Sequence, residues 1–141
     1  MLVMSGIDVG KAHDNPHIII SEDEDAAVWA GAIDDLWKLG KPRGRGGPWK
    51  DTQVTADEPS DPYLIGYYDR RRLSIWHDAQ EPVTFTIEVE PVGHGPWMKY
   101  QDITVEPGET HEREFPEDFQ SRWIRFRSSK DATVTAWLNY D

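Results

Sequence analysis

The stretch Val83-Thr84-Phe85-Thr86-Ile87-Glu88-Val89-Glu90 decides the fold class, because apolar and polar residues alternate along its length. The side chains of a β-strand point alternately to its two faces. This pattern therefore predicts a strand with one apolar face toward a core and one Thr and Glu face toward solvent. Half-buried strands of this kind are typical of antiparallel sheets, so we expect an all-β protein.

Shorter segments of similar character fill the chain from residue 61 onward. Turn residues rich in Gly, Pro, Asp and Ser separate them at intervals of about ten residues, a spacing typical of sandwiches and barrels. Further strands are predicted at residues 63–68, 72–77, 98–105, 110–115, 122–127 and 133–140. Together these segments predict an antiparallel β-sandwich over residues 61–141, of jelly-roll or immunoglobulin-like type.

The first 60 residues have a different character. Residues 16–21 and 26–33 predict a β-hairpin whose acidic turn is Glu22-Asp23-Glu24-Asp25. A lone hairpin is marginal in water, so we expect it to pack on the sandwich. Residues 34–62 are rich in Gly and Pro and lack a strong period, which predicts a long ordered loop packed on the same sandwich. Residues 1–60 are thus predicted to be a hairpin with its connecting loop.

The composition disfavours several classes of function. The formal net charge of −11 argues against nucleic acid and anionic membranes as partners, because both attract clustered Lys and Arg. The chain contains no Cys, which removes disulfides, thiolate nucleophiles and Cys-based zinc sites. Its first residues show neither a basic segment nor an apolar stretch long enough for a signal peptide, and the compartment stays open.

Seven Trp residues are the most informative feature for function. Trp76, Trp123 and Trp137 are each out of phase with the aliphatic residues of their own predicted strands, so they should point away from the core. We expect the last two strands to form a hairpin that brings Trp123 and Trp137 together. Indole rings stack on the C–H faces of sugars, and Arg125 shares the face of Trp123. This aromatic face predicts carbohydrate binding.

A second candidate for ligand binding is the loop of residues 92–100. It carries His94, Trp97 and Tyr100 beside glycines that allow a ligand to approach the backbone closely. The alternative interpretation is that the Trp face and the aromatic residues of this loop have a structural role and bind no ligand. Another segment or another copy would then cover the Trp face, and Trp97 would fold back onto the core.

Catalysis is an alternative centred on Asp34 and Asp35. Glycoside hydrolysis needs two carboxylates in one cleft, and these two are the most site-like acidic pair of the chain. Neighbours along a strand point in different directions, however, and a cap on a short helix or turn is the competing interpretation.

The candidate metal ligands are His13, Asp14 and His17. Pro16 excludes the helical spacing of a zinc protease motif, so the sequence favours no zinc site here. Calcium is a further candidate, since acidic loops such as residues 22–25 offer the oxygen ligands that a hard ion prefers.

Two runs of sequence carry a resemblance to a known family. They are Gly31-Ala32-Ile33-Asp34-Asp35-Leu36-Trp37-Lys38-Leu39-Gly40-Lys41-Pro42 and Gly46-Gly47-Pro48-Trp49-Lys50-Asp51-Thr52. Both resemble the tail of large uncharacterised bacterial proteins of sialidase-like β-propeller type, in which a C-terminal β-sandwich follows the last propeller segment. That sandwich is similar to residues 82–126 here. The resemblance implies carbohydrate-related work by analogy only, and the propeller that would hold catalytic residues is not within these 141 residues.

The sequence as a whole favours a non-catalytic accessory module that binds carbohydrate through its aromatic face. One alternative is a structural module that docks on a β-propeller or on a second copy of itself. The other is a small metal-dependent or acid–base carbohydrate-active enzyme.

Overall fold

The computed structural model describes residues 1–12, 15–39 and 41–141, and it is all-β. Two short 3₁₀ helices, Val9–Lys11 and Ile33–Leu39, interrupt the strands. The described strands are β1 Leu2–Met4, β2 Ile18–Ile20, β3 Ala27–Gly31, β4 Gly44–Val54, β5 Tyr63–Leu64, β6 Arg71–His77, β7 Val83–Glu90, β8 Met98–Val105, β9 Thr110–Glu114, β10 Trp123–Ser128 and β11 Ala132–Tyr140. The chain divides into two compact units, Met1–Lys41 and Pro42–Asp141.

Two four-stranded antiparallel sheets form the second unit. Sheet I has the strand order β5-β10-β7-β8, and sheet II has the order β4-β11-β6-β9. Alternate residues of both sheets enter one shared core, whose fully buried members include Leu73, Ile75, Val83, Phe85, Ile87, Ile124, Phe126, Val134 and Leu138. The predicted all-β, antiparallel β-sandwich architecture is confirmed.

Strand β7 shows why the alternation was so informative. Val83, Phe85 and Ile87 are completely buried, whereas Thr84 and Thr86 lie on the outer face of sheet I. Each buried apolar side chain of this size contributes about 1.5–3 kcal/mol to folding. The repeated pattern therefore stabilises one orientation of the strand over the orientation that a one-residue slip would give.

The prediction of a loop for residues 44–54 is wrong, because this segment is the edge strand β4 of sheet II. Its pairing with β11 contains two register shifts, which break the period of two that marks a strand in sequence. A Cβ on Gly47 would overlap the carbonyl oxygen of Ala136, so the close approach of the strands requires glycine. The strand also buries Trp49 against Phe126. The sandwich unit therefore begins at Pro42 and not at residue 61.

The prediction of a hairpin between the last two strands is also wrong. Strand β10 pairs within sheet I, whereas β11 pairs within sheet II, so the chain crosses between sheets at residues 129–131. Two consecutive strands can lie side by side in one sheet or in two facing sheets. The alternation of apolar residues is the same in both arrangements, because the apolar side chains point to the shared core in each. Trp123 and Trp137 consequently lie on opposite outer faces of the sandwich.

The first unit contains a three-stranded antiparallel sheet of order β1-β3-β2. Its β2 and β3 are the predicted hairpin, and β1 is an additional strand that is too short to show a period in sequence. Trp29 is buried here beside His17, with their ring centroids 5.4 Å apart. In the described ranges, no helix has the length and apolar character needed to span a membrane.

Candidate aromatic binding site

The outer face of sheet I carries a pocket of about 460 Å³ where several predicted binding residues meet. Its lining consists of Pro62, Glu90, Gly93, His94, Gly95, Trp97 and Trp123. Trp123 begins β10 and Trp97 immediately precedes β8, and both indoles are half-buried, whereas His94 is exposed. The structure therefore brings Trp123 of the predicted aromatic face together with His94 and Trp97 of the predicted loop.

The loop between β7 and β8 is folded around the carboxylate of Glu90. One oxygen accepts the backbone N–H groups of Val92 at 3.1 Å and Gly95 at 2.8 Å, and the other accepts that of Gly93 at 2.5 Å. Gly93 has a φ of +99°, a conformation that disfavours any side chain. The carboxylate thus fixes the part of the loop that presents His94.

The same hydrogen bonds set the ionisation of Glu90. Glu90 is only 3% exposed, and burial by itself raises the pKa of its carboxyl group. The N–H groups of Gly95, Val92 and Gly93 outweigh that burial, so the pKa of Glu90 lies below its ordinary value of 4.5. Glu90 is therefore a charged structural anchor at neutral pH.

Arg125 holds Trp97 from the side of the sheet. The guanidinium Cζ lies 4.3 Å from the Trp97 ring centroid, and the Arg125 Nε donates to the Glu88 carboxylate at 2.5 Å. Arg127 donates to the same Glu88 oxygen at 3.2 Å. The side chains of Arg125 and Glu88 are only 18% and 16% exposed, so salt screens this pair less than an exposed one.

The lining of the pocket contains a single carboxylate, that of Glu90. Both oxygens of this carboxylate already accept N–H groups. Hydrolysis of a glycosidic bond would need two carboxyl groups facing the same bond. The pocket offers instead two indole surfaces, an imidazole and backbone groups of a glycine-containing loop.

Tyr100 is placed away from this pocket. Its ring packs against Phe115 and Phe119, with centroid distances of 6.1 and 5.1 Å, and the Arg113 Cζ lies 5.6 Å from its centroid. The pairing of β7 with β8 shifts register between Ile87 and Glu88, opposite this part of β8. This bulge turns Tyr100 toward the core, which no alternation rule would reveal.

Trp76 and Trp137 lie together on the outer face of sheet II. In the pairing of β6 with β11, Trp76 is opposite Thr135 and Trp137 is opposite Ser74, so the two indoles are diagonal neighbours. They belong to a different surface from Trp123. The predicted aromatic face is therefore two faces, one on each sheet.

The acidic pair of the catalytic alternative lies in the first unit. Asp35 Oδ2 accepts the N–H of Ala32 at 2.9 Å, which caps the 3₁₀ helix, and Oδ1 lies 3.8 Å from His17 Nε2. Asp34 is exposed and lines a separate pocket of the same unit. The contacts of Asp35 match the capping interpretation.

The candidate metal ligands are only partly described. His13 and Asp14 lie outside the described residues, and His17 has its Nδ1 3.2 Å from the Ala30 carbonyl oxygen. Within the described part of the chain, no group of three or more His, Cys, Asp and Glu side chains could hold a metal ion.

The acidic turn considered for calcium is ordered by its own hydrogen bonds. Asp23 accepts from the Ser21 hydroxyl and from the N–H of Asp25, and these bonds lower the pKa of Asp23, the hydroxyl most strongly. The Ser21 oxygen in turn accepts the N–H of Ala26. The turn is thus closed by the hydrogen bonds of Ser21 and Asp23.

Comparison of the chain with protein-family models, with curated proteins and with solved structures returned no match. Function is therefore argued from the geometry of the pocket. Sequence reasoning missed the two supports of that geometry, Glu88 and Glu90. The signal for Glu90 was an acid at the end of a strand, directly before the glycine-rich loop of residues 91–97.

Proposed function

We propose that this protein is a non-catalytic accessory module that binds carbohydrate in the pocket between the 91–97 loop and β10. The observation that carries the proposal is the meeting of Trp97 and Trp123 in one pocket. Indoles bind the apolar C–H faces of a sugar ring, while the imidazole of His94 and the loop backbone reach its hydroxyls.

The size of the pocket supports a small ligand or one unit of a longer chain. Its volume of about 460 Å³ falls inside the ~300–1,000 Å³ of ordinary ligand pockets. The opening on the outer face of a sheet suits a polymer, because the remainder of the chain can continue across the surface.

Preorganisation is the second support. Arg125 fixes the plane of Trp97, and Glu90 fixes the loop beside it. A site whose side chains are already ordered loses less conformational entropy when it binds, so a larger share of the contact energy becomes affinity.

Fluorescence titration tests the proposal. Wild-type protein is titrated with neutral plant, algal and bacterial polysaccharides while its Trp emission is recorded, and a saturable shift is expected with at least one of them. Trp97→Ala and Trp123→Ala should each weaken that binding about tenfold or more, as expected for aromatic anchors. Trp76→Ala, on the other sheet, is the matched control and should bind as the wild type does.

Two outcomes would contradict the proposal. One is the absence of a saturable response to every polysaccharide. The other is a response that survives in both Trp97→Ala and Trp123→Ala. A concentration-dependent increase in sedimentation coefficient, abolished by the same two substitutions, would favour the structural alternative, in which the face docks on a second copy.

A further inference from the structure

A second pocket, of about 530 Å³, opens on the outer face of sheet II. Trp137 lines it from β11, and Arg45 and Lys50 line it from β4. Glu112 and Asn139 contribute further polar groups to its wall. This surface is separate from the pocket of Trp97 and Trp123, because the two sheets turn their outer faces in opposite directions.

A bulge in β4 shapes the pocket. Asp51 has a left-handed backbone with a φ of +48°, and the pairing of β4 with β11 shifts register between Val134 and Ala136. Thr135 fixes the bulge, since its hydroxyl oxygen accepts the Asp51 N–H at 3.0 Å and its hydroxyl bonds Asp51 Oδ1 at 3.1 Å. Bulges of this kind often redirect a side chain beside a functional site.

Lys50 lies beside this bulge and is exposed. Its Nζ lies 5.5 Å from the centroid of the Trp137 ring, within the range of a cation–π contact. An ammonium group and an indole thus share one wall of the pocket. One small ligand ring could therefore contact the Lys50 ammonium group and the Trp137 indole at the same time.

The two cations of this pocket have no carboxylate partner in the described ranges. Lys99, Arg125, Arg127 and Lys130 all form ion pairs, whereas Arg45 and Lys50 form none. Unpaired cations clustered in one pocket are notable in a chain with a formal net charge of −11. They are available for an anionic ligand.

We infer that this pocket is a second binding site, specific for a sugar that carries a carboxylate, that is, a uronic acid unit. The sugar ring stacks on Trp137, and its carboxylate binds Lys50 and Arg45. Its hydroxyls donate to Glu112 and Asn139. A phosphate dianion fits less well than a singly charged uronate, because the Asp51 and Glu112 carboxylates on the same walls repel the larger negative charge more strongly.

The inference goes beyond the site proposed above, since it gives the module two sites on opposite faces. Such a module would bridge two glycan segments, and the bridging would raise its avidity for a polymer over that of either site alone.

The test compares charged sugars with their neutral esters. Oligomers of galacturonate, glucuronate and mannuronate, and the methyl ester of each, are titrated into the full chain by calorimetry. Binding of at least one acidic oligomer is expected, with its ester about tenfold weaker or more, because hydrogen bonds to charged groups are the stronger ones. Raising the salt concentration should weaken binding of the acid more than that of the ester.

Variants locate the site. Lys50→Gln changes an exposed side chain and should reduce affinity for the acidic oligomer about tenfold, and Trp137→Ala should reduce it at least as much. Lys99→Gln is the matched control and should leave it unchanged. Trp123→Ala removes the site on sheet I alone, so its titration with a neutral polysaccharide reports the loss of that site. Titration of Lys50→Gln and Trp137→Ala with the acidic oligomer reports the loss of the site on sheet II.

Three results would overturn the inference. The first is the absence of binding to all three acidic oligomers, and the second is equal affinity for an acid and its ester. The third is displacement of the oligomer by inorganic phosphate at constant ionic strength, which would make the pocket a general anion site.

Discussion

The guanidinium of Arg125 lies over the indole of Trp97, with its Cζ 4.3 Å from the ring centroid. Arg125 is directly opposite Glu88 in the pairing of β10 with β7, and the two side chains form an ion pair. The orientation of Trp97 is therefore set by two neighbouring strands of sheet I, although Trp97 itself lies in a loop. Sheet I thus positions a candidate binding residue that lies outside its strands.

Replacing Arg125 should weaken sugar binding without unfolding the protein. Arg125→Leu removes a contact worth about 0.5–2 kcal/mol, so the affinity for a bound polysaccharide should fall several-fold, up to about thirtyfold. The Trp97 ring would become more mobile, which should shift the Trp emission to longer wavelength. Arg127→Leu is the control, because Arg127 also bonds Glu88 but stacks on neither pocket indole. Equal losses in the two variants would contradict this role of Arg125.

The Glu90 anchor predicts a specific pH dependence. Since the pKa of Glu90 lies below 4.5 in the folded protein, the folded state favours the ionised group. Its contribution to stability should be complete above about pH 4.5 and should disappear as the pH falls through the lower folded-state pKa.

Thermal unfolding of wild type and Glu90→Gln between about pH 7 and pH 3 measures this contribution. The wild type should unfold at the higher temperature near neutral pH, and the two curves should converge in acid. A difference between the two proteins that does not change with pH would show that the carboxylate acts through packing and not through its charge.

Gly47→Ala should destabilise the sandwich. The new methyl group would overlap the Ala136 carbonyl oxygen, so β4 would separate from β11 at a cost of about 1–3 kcal/mol, or more if the strand detaches. Gly10→Ala is the control, since the nearest atom to its new methyl group is an Asp8 oxygen at 3.4 Å. Urea unfolding gives both free energies, and equal values would argue against β4 as a paired strand.

The sequence predicted the sandwich where each strand obeys a simple rule. Strands β7 and β8 have the predicted bounds, because turn residues flank both and β7 also has a strict period of two. The missed strand β4 shows the limit of that rule. Gly47 and two register shifts remove the apolar alternation there, although the backbone still pairs with β11.

The candidate site was predictable only in part. Alternation correctly turned Trp123 away from the core, and loop chemistry correctly grouped His94 with Trp97. The sequence pattern did not show to which sheet each strand belongs. Trp123 and Trp137 are separated because β10 lies in sheet I and β11 in sheet II. That information depends on long-range pairing, which the local pattern of a strand does not contain.

If a glycan occupies the pocket of Trp97 and Trp123, the indole N–H resonances of these two residues will report its binding. The seven Trp residues give seven such signals in a ¹H–¹⁵N spectrum, and single Trp→Phe variants assign them. On addition of a neutral polysaccharide that binds, the signals of Trp97 and Trp123 should move saturably, whereas those of Trp29, Trp37 and Trp49 should stay in place. Binding that leaves the Trp97 and Trp123 signals unmoved would show that the glycan does not occupy this pocket.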